Sequence, residues 1–356
     1  MGTANEGGTG KIRAIMKAAL YTPYLDTLGG GERYMLSIAR ALLESGWKVD
    51  IEANDPKLID RAAKRFGFPL TGLNVVPSIN RGEGYDICVW LSDGSIPTLR
   101  SKKNILHFQR PFQDVDGRSL VSRMKFFRIS TVIVNSAFTK RYIDVEFPKQ
   151  SVILYPPVDV AKFKTSEKEN AILYVGRFSQ LEQSKRQDVL LTAFLKFNKY
   201  QYGNWRLLLA GGSDVGRTEE VDVLRAHAKK EPIEVLENPS FSAIQGMYSK
   251  ATFFWSAAGY GVDPKTDPQK LEHFGMTVVE AMAAGCVPVV FNGGGHPEII
   301  EDGVNGFLWS SPQDMINITK KLTLDRMRLR EISKNAVVRS KEFSYEQFKK
   351  NFLKLI

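Results

Sequence analysis

Two glutamates, Glu272 and Glu280, stand eight residues apart around a short predicted helix that begins after Gly275 and ends at Gly285. The start of a helix presents free backbone N–H groups and the positive end of its dipole, and it therefore favours a phosphate. The carboxylates cannot bind that phosphate themselves, so they are better explained as acceptors for the hydroxyl groups of a sugar or a ribose. A nucleotide sugar carries all of these groups, and the pattern indicates a site for one.

The second motif that could bind a ligand is a glycine turn between an apolar strand and two basic residues. The strand 173–175 ends at Gly176 and Arg177, and Lys185 and Arg186 begin the next helix. An arginine fork and a lysine point charge beside a crevice suit a diphosphate, although a surface salt bridge at a loop is the alternative. The long segment from Arg177 to Lys185 leaves open whether Arg186 shares or takes the role of the lysine.

Three further features have simpler explanations beside the functional ones. The glycines 29–31 would let a backbone approach a ligand, but a plain tight turn explains them equally well. His107 ends an apolar strand, where its imidazole could bind a sugar hydroxyl, whereas a lone histidine is more often structural. Asp114 and Asp116 resemble a metal-binding pair, but they lie in a polar loop, so a turn is the better interpretation.

Apolar runs alternate with amphipathic helices along the whole chain, and this alternation supplies the scaffold for the motifs. Strands are predicted at residues 14–21, 49–53, 87–91, 104–107, 131–134 and 152–154, and after a proline-containing linker at 171–175, 205–210, 233–236 and 251–256. The pattern predicts an α/β protein with two Rossmann-like domains, at residues 11–160 and 167–343. A ligand would bind in the cleft between them, at the carboxyl ends of both sheets.

The composition is that of an ordinary globular protein, with 43% hydrophobic and 25% charged residues in a chain of 356. No apolar run is long enough to span a bilayer and no signal segment is recognisable, so we expect a cytoplasmic protein. The sequence has no Gly-x-Ser-x-Gly, P-loop or His-Glu-x-x-His motif. Hydrolases with a nucleophile elbow, P-loop nucleotide triphosphatases and zincins are therefore disfavoured.

The net charge of +10 is concentrated in residues 101–150, which hold ten Lys or Arg against four Asp or Glu. Within residues 118–128 basic and apolar positions alternate as in an amphipathic helix, which could lie on an anionic membrane surface. The alternative that we prefer is a half-buried helix with a solvated basic face. We expect no nucleic-acid partner, because no DNA- or RNA-binding motif accompanies the charge.

Taken together, the chain resembles the retaining glycosyltransferases of family 4, which have the GT-B fold. The motifs that carry the resemblance follow the family's order at residues 29–31, 107, 134–136, 156–159, 175–177 with 185, 272–280 and 293–298. The resemblance implies that the C-terminal helix, residues 344–356, returns to the first domain. It also implies transfer of a hexose from a nucleoside diphosphate sugar to a glycan or lipid-linked saccharide, without a metal or other cofactor.

The same resemblance implies roles for individual residues. Glu280 would bind the ribose, Glu272 would bind the donor sugar, and Arg177 with Lys185 would neutralise the diphosphate as the glycosidic bond breaks. His107 would contact the sugar from the other domain. The remaining donor-binding positions would be Gly30, Gly31, Phe274, Gly275, Met276 and Thr277.

The identity of the donor is left open by these motifs. We expect a UDP-sugar such as UDP-glucose, used in polysaccharide or glycoconjugate biosynthesis at the inner face of the cell membrane. The alternatives are a GDP-mannose-dependent mannosyltransferase and a catalytically silent protein that binds nucleotide sugars. A catalytically silent protein would be expected to lack the basic residues for the diphosphate or the two glutamates. Arg177, Glu272 and Glu280 are all present. The loop at 259–271 is either a lid or a solvated loop.

Overall fold

The structure, a computed structural model, describes residues 15–178, 183, 185–199, 204–213 and 219–356. Residues 11–14 of the predicted first domain, and most of the segment between Arg177 and Lys185, lie outside the described residues. The strands are β1 Lys17–Tyr21, β2 Lys48–Glu52, β3 Leu73–Val76, β4 Ile87–Leu91, β5 Lys103–Phe108, β6 Thr131–Val134, β7 Ser151–Ile153, β8 Glu169–Val175, β9 Arg206–Gly211, β10 Ile233–Glu237, β11 Ala251–Ser256, β12 Val287–Phe291 and β13 Phe307–Trp309. The helices are α1 Gly30–Leu43, α2 Lys57–Phe66, α3 Leu120–Phe126, α4 Ala137–Glu146, α5 Gln187–Lys199, α6 Glu220–Ala228, α7 Phe241–Lys250, α8 Met276–Ala283, α9 His296–Ile299, α10 Pro312–Leu324, α11 Arg326–Ser340 and α12 Tyr345–Leu353.

Within the described residues, the strands form two parallel sheets, ordered β3-β2-β1-β4-β5-β6-β7 and β10-β9-β8-β11-β12-β13. Successive residues of the central strand β1 are buried on opposite faces, with Ala18 and Leu20 in one core cluster and Ala19 in another. Helices cover both faces, as the unbroken apolar runs of parallel strands require. The predicted α/β class with two Rossmann-like domains is confirmed.

The chain crosses between the two sheets twice, and the two crossing segments lie side by side. The N–H of Val158 donates to the carbonyl of Phe343, and the N–H of Tyr345 donates to the carbonyl of Val158, both at 3.0 Å. Helix α12 then packs on α1, with Tyr345, Phe348 and Phe352 in the core of the first sheet. The C-terminal helix therefore returns to the first domain, and we propose that the domain limits fall at these crossings.

The strands predicted at 87–91, 131–134 and 251–256 have the observed bounds, because fully buried strands give continuous apolar signals. Helix α2 and strand β3 were not predicted. Strand β3 lies at the edge of its sheet and none of its residues is fully buried, so its sequence pattern is weak.

The basic segment 118–128 contains helix α3, and the expected half-buried helix with a solvated basic face is observed only in part. Phe126 packs inside, with its ring 5.8 Å from that of Phe147. The other apolar side chains are exposed to solvent: Leu120 by 76%, Val121 by 61%, Met124 by 68% and Phe127 by 95%. The helix covers the domain through the side that carries Phe126, so its remaining apolar residues form an uncovered surface.

Candidate functional site

A cavity of about 220 Å³ lies between the two domains, where the carboxyl ends of their strands face each other. The first domain contributes the start of α1 together with residues that follow β4, β5 and β6. The predicted site residues in the lining are Gly30, Gly31, Arg177, Glu272, Phe274, Gly275 and Met276. Lys185, Thr277, Glu280 and His107 are not part of the lining.

The glycines at the start of α1 are explained by close approach of other groups. A Cβ atom on Gly30 would lie 2.5 Å from Cε of Met276, which belongs to the second domain. A Cβ atom on Gly31 would lie 2.3 Å from Oε1 of Gln109, whose Nε2 donates to the carbonyl of Gly31 at 3.1 Å. The contact of Gly30 with Met276 brings α1 against α8 across the cleft, whereas Gln109 belongs to the same domain as Gly31.

Arg177 follows the end of β8 and faces the glycine turn from the second domain. Its Nη1 atom lies 3.9 Å from the position of a Cβ atom on Gly29. Burial raises the pKa of the nearby Glu32, and the positive charge of Arg177 opposes that rise. The side chain of Gln187 fixes the backbone here by donating to the carbonyl of Arg177 at 2.9 Å. The guanidinium thus brings a positive charge to the cavity, as an anionic ligand requires.

Lys185 lies behind the lining and pairs with Glu272. The distance from Nζ to Oε2 is 2.7 Å, and the side chains are 12% and 16% exposed. Burial alone would raise the pKa of Glu272, but the charge of Lys185, aided by His296, lowers it to about 2. Glu272 is therefore ionised at neutral pH and can accept hydrogen bonds from hydroxyl groups.

Arg186, the other candidate cation, is directed away from Glu272. Its guanidinium contacts the carboxylate of Asp188, with both N–O distances at 3.0 Å, and donates to the carbonyl of Tyr260 at 2.8 Å. Of the two cations, the geometry brings only Lys185 to the carboxylate in the cleft.

Helix α8 begins beside the cavity with its first backbone groups available. Gly275 precedes it at a φ of 112°, a left-handed conformation that favours glycine, and no side chain caps this helix start in the described part of the chain. Phe274, Gly275 and Met276 all line the cavity. The N–H groups of the first turn and the positive end of the dipole are therefore presented to a ligand.

The glycines 293–295 pack directly against the backbone that carries Glu272. A Cβ atom on Gly294 would lie 2.0 Å from the carbonyl oxygen of Glu272, and one on Gly295 would lie 2.5 Å from that of His273. Gly294 also has a φ of 61°. This turn therefore fixes the position of Glu272, which the sequence motif alone did not reveal.

Glu280 lies on α8 and is paired across the cleft. Its Oε1 accepts a hydrogen bond from Nη1 of Arg33 at 2.5 Å, and its Oε2 accepts one from the hydroxyl of Tyr248 at 3.2 Å. Arg33 belongs to α1 of the first domain. Arg33 is not among the predicted site residues, because it and Glu280 are 247 positions apart and no local sequence pattern connects them.

Glu298 provides a second contact between the domains. Its carboxylate accepts hydrogen bonds from the N–H groups of Ala137 and Phe138, at 2.6 and 2.7 Å, and so caps the start of α4. The same helix contacts the long loop before Glu272 through the hydroxyl of Tyr142, which donates to the carbonyl of Pro264 at 2.8 Å. The motif that ends at Glu298 thus fastens the second domain to the first.

His107 is fully buried beneath Tyr34, which lines the cavity. The two rings stack with their centroids 4.2 Å apart, and Nδ1 of His107 lies 3.1 Å from the carbonyl oxygen of Ile133. Burial lowers the pKa of His107 to about 3, so the imidazole is neutral at physiological pH. Its contact with a donor sugar stays a prediction, and it would require Tyr34 to move.

We expect the protein to lose stability as the pH falls below about 6.5, partly because of His107. Its pKa is lower in the folded protein than in the unfolded chain, so the unfolded chain takes up the proton first. Between pH 6.5 and about 3, this histidine should lower the free energy of unfolding by up to about 1.4 kcal/mol for each unit that the pH falls. Urea unfolding at pH 7 and pH 5 should therefore show a smaller loss for His107→Phe than for the wild type, and equal losses would contradict the assignment.

The acidic pair Asp114 and Asp116 lies in a turn, as the sequence favoured. Their φ angles are 55° and 53°, and the N–H of Asp114 donates to the carboxylate of Glu146 at 3.0 Å. In the part of the chain that the structure describes, no group of three or more His, Cys, Asp or Glu side chains could hold a metal ion.

Over the same residues, no helix combines the length and apolarity needed to cross a membrane.

A larger cavity, of about 860 Å³, lies between the amino end of β8 and helix α11. It is lined by none of the predicted site residues, and it lies at the opposite end of the second sheet from Arg177. The chemistry of the lining, and not the size of the cavity, therefore identifies the cleft as the candidate site.

Comparison with known proteins gives a family match over the second half of the chain. The family described as "Glycosyl transferases group 1" matches residues 158–338, which is half of the chain. A GDP-Man:Man(3)GlcNAc(2)-PP-Dol alpha-1,2-mannosyltransferase of Dictyostelium discoideum is 31% identical over 242 residues, covering 63% of this chain and 46% of the relative. The Homo sapiens protein of that name is 28% identical over 62% of this chain and 47% of its own length. The chain thus spans about half the length of these curated relatives.

Two solved structures share the fold over nearly the whole chain. The Anabaena protein HepE, in complex with UDP and glucose, superimposes with a TM-score of 0.70 at 18% identity, covering 95% of this chain and 98% of HepE. A glycosyltransferase from Rickettsia africae gives a TM-score of 0.73 at 16% identity, with 96% and 97% covered. At these identities the likeness concerns the GT-B fold alone.

Proposed function

Since the chain belongs to the group 1 glycosyl transferases, we propose that it transfers mannose from GDP-mannose to a lipid-linked oligosaccharide with retention of configuration. The observation that carries the proposal is the convergence of three groups on one cleft. Arg177 supplies a cation for the diphosphate, Glu272 supplies a carboxylate for sugar hydroxyls, and the start of α8 supplies free N–H groups.

The proposed donor replaces the UDP-sugar that we expected from the sequence. The relatives at 28–31% identity are named for GDP-mannose, whereas the UDP-bound HepE is only 18% identical. The names of these relatives also include a dolichol-linked oligosaccharide, which supports a lipid-linked acceptor here.

In the proposed reaction, the bond from the anomeric carbon to the diphosphate oxygen breaks, and the acceptor hydroxyl oxygen bonds to that carbon on the same face. The proton of the hydroxyl passes to the departing phosphate oxygen, so the configuration is retained. Arg177 stabilises the charge that develops on the diphosphate, and we expect that no metal is needed. Lys185, which pairs with Glu272 behind the lining, holds that carboxylate in place. Glu272 holds the transferred sugar and Glu280 holds the ribose of the nucleotide.

Thermal-shift measurements with GDP, GDP-mannose, UDP and UDP-glucose test the donor, because a ligand that binds the folded protein raises its Tm. We expect the guanosine compounds to give the larger shifts, and incubation of GDP-mannose with a polyprenyl-diphosphate oligosaccharide to give an α-linked product. A larger shift with UDP-glucose would overturn the donor assignment. Binding of GDP-mannose without turnover on such acceptors would favour the catalytically silent alternative.

We also propose that α3 binds an anionic membrane surface at the cytoplasmic face, where a lipid-linked acceptor would be presented. Leu120, Met124 and Phe127 follow one another at helical spacing, so they share one face, and each is at least 68% exposed. Arg123 and Lys125 lie on the same short helix and would interact with anionic lipid headgroups.

The triple change Leu120→Ser, Met124→Ser and Phe127→Ser is expected to lower binding to phosphatidylglycerol-containing vesicles by at least about tenfold, since the apolar area is lost. Met327→Ser is the matched control, because Met327 is 85% exposed on α11 of the other domain. Vesicle co-sedimentation measures both. If the triple variant sedimented like the wild type, or if neutral phosphatidylcholine vesicles bound equally well, the proposed surface would be wrong.

A further inference from the structure

The ion pair between Arg33 and Glu280 joins the two domains directly at the proposed nucleotide site. Their N–O distance is 2.5 Å, and the side chains are only 12% and 7% exposed. A charged hydrogen bond that is largely shielded from water contributes more than an exposed one. The pair therefore stabilises the closed arrangement in which α1 lies against α8.

Both oxygens of Glu280 already have partners in this arrangement. Arg33 donates to one, and the buried Tyr248 donates to the other. Glu280 does not line the cavity, although Gly275 and Met276 of the same segment do. A ribose in the cavity cannot reach this carboxylate unless Arg33 moves away from it.

We propose that Arg33 is a displaceable counter-ion that competes with the nucleotide ribose for Glu280. This inference rests on the proposed function, which assigns the ribose to Glu280. The ribose hydroxyls replace Arg33 as donors to Oε1 of Glu280. Arg33 therefore acts as a positioning residue that sets the affinity of the site for the nucleotide.

The experiment measures the Kd of GDP and of UDP by isothermal titration for the wild type, Arg33→Met and Arg33→Lys. Methionine removes the competing charge, so the Kd of the nucleotide that binds should fall at least about fivefold, as expected when a charged hydrogen bond no longer competes. Lysine retains a cation and should keep the Kd close to that of the wild type. Arg61→Met, which removes an arginine that is 61% exposed on α2, is the control for loss of charge alone.

An unchanged or larger Kd for Arg33→Met would overturn the inference, because a larger value would make Arg33 a ligand of the nucleotide. Arg33→Gln provides a second uncharged variant if the methionine protein does not fold.

Glu280→Gln separates this inference from the proposed function. The change removes the carboxylate charge while keeping its shape, so nucleotide binding should weaken with or without Arg33. If Glu280→Gln left the Kd unchanged, the assignment of the ribose to Glu280 would fail. If Glu280→Gln weakened binding while Arg33→Met did not strengthen it, only the role of Arg33 would fail.

Discussion

Arg177→Ala is expected to lower kcat for sugar transfer by about 10²- to 10³-fold, while the Kd of the nucleoside diphosphate changes much less. Arg177 lines the cavity at the end of β8 and faces the start of α1. Negative charge on the diphosphate increases as the bond to the sugar breaks, so a fixed cation stabilises the transition state more than the bound donor. Single-turnover rates at saturating donor and a separate nucleotide titration distinguish the two effects.

Arg206→Ala is a suitable control for Arg177→Ala. Arg206 begins β9 at the opposite end of the same sheet, where it pairs with Glu169 and Glu234 on the surface. Its removal takes one arginine from the second domain without altering the cleft, so kcat should not change. If Arg177→Ala raised KM with kcat intact, Arg177 would bind donor and transition state equally, and its proposed role would be wrong.

Much of the fold could be predicted because its central strands are buried on both faces. Strands β4, β6 and β11 have the predicted bounds, since each is a continuous apolar run between turns or polar residues. The sequence also placed Arg177 and Glu272 at the cleft, because carboxyl ends of parallel strands and starts of helices meet there. These sequence patterns involve only neighbouring residues, so they can be recognised without knowledge of the tertiary structure.

The contacts between the domains could not be predicted in this way. Arg33 and Glu280 are 247 positions apart, and Glu298 is 160 positions from the N–H of Phe138 that it caps. Neither pair has a periodicity or spacing that marks it, so only the folded arrangement brings the partners together. His107 illustrates the same limit, because its place at a strand end was evident but the covering ring of Tyr34 was not.

The amphipathic pattern of residues 118–128 has a different limitation. A helix with alternating basic and apolar positions predicts that one face seeks an apolar environment, but it does not say whether protein or lipid provides it. Phe127 is 95% exposed, so its own domain leaves that side chain uncovered, and we propose that lipid covers it.

Gly294→Ala is expected to reduce kcat by about 10²-fold, because it would displace Glu272 from its position in the cleft. A Cβ atom at residue 294 would lie 2.0 Å from the carbonyl oxygen of Glu272. This oxygen belongs to the backbone, so no side-chain rotation can relieve the clash. The φ of 61° adds a conformational cost of about 1 kcal/mol for any residue with a Cβ atom. Transfer assays and thermal unfolding should therefore both show a loss.

Gly303→Ala separates the steric effect from the conformational one. Gly303 has a similar φ of 75°, but a Cβ atom there would meet nothing within 4 Å. This variant should lose about 1 kcal/mol of stability from backbone strain and keep its kcat. The difference in kcat between the two variants then measures how much displacement of Glu272 slows the transfer. Equal kcat values for Gly294→Ala and Gly303→Ala would mean that the glycine turn does not position the carboxylate, and that Glu272 tolerates movement in the transition state.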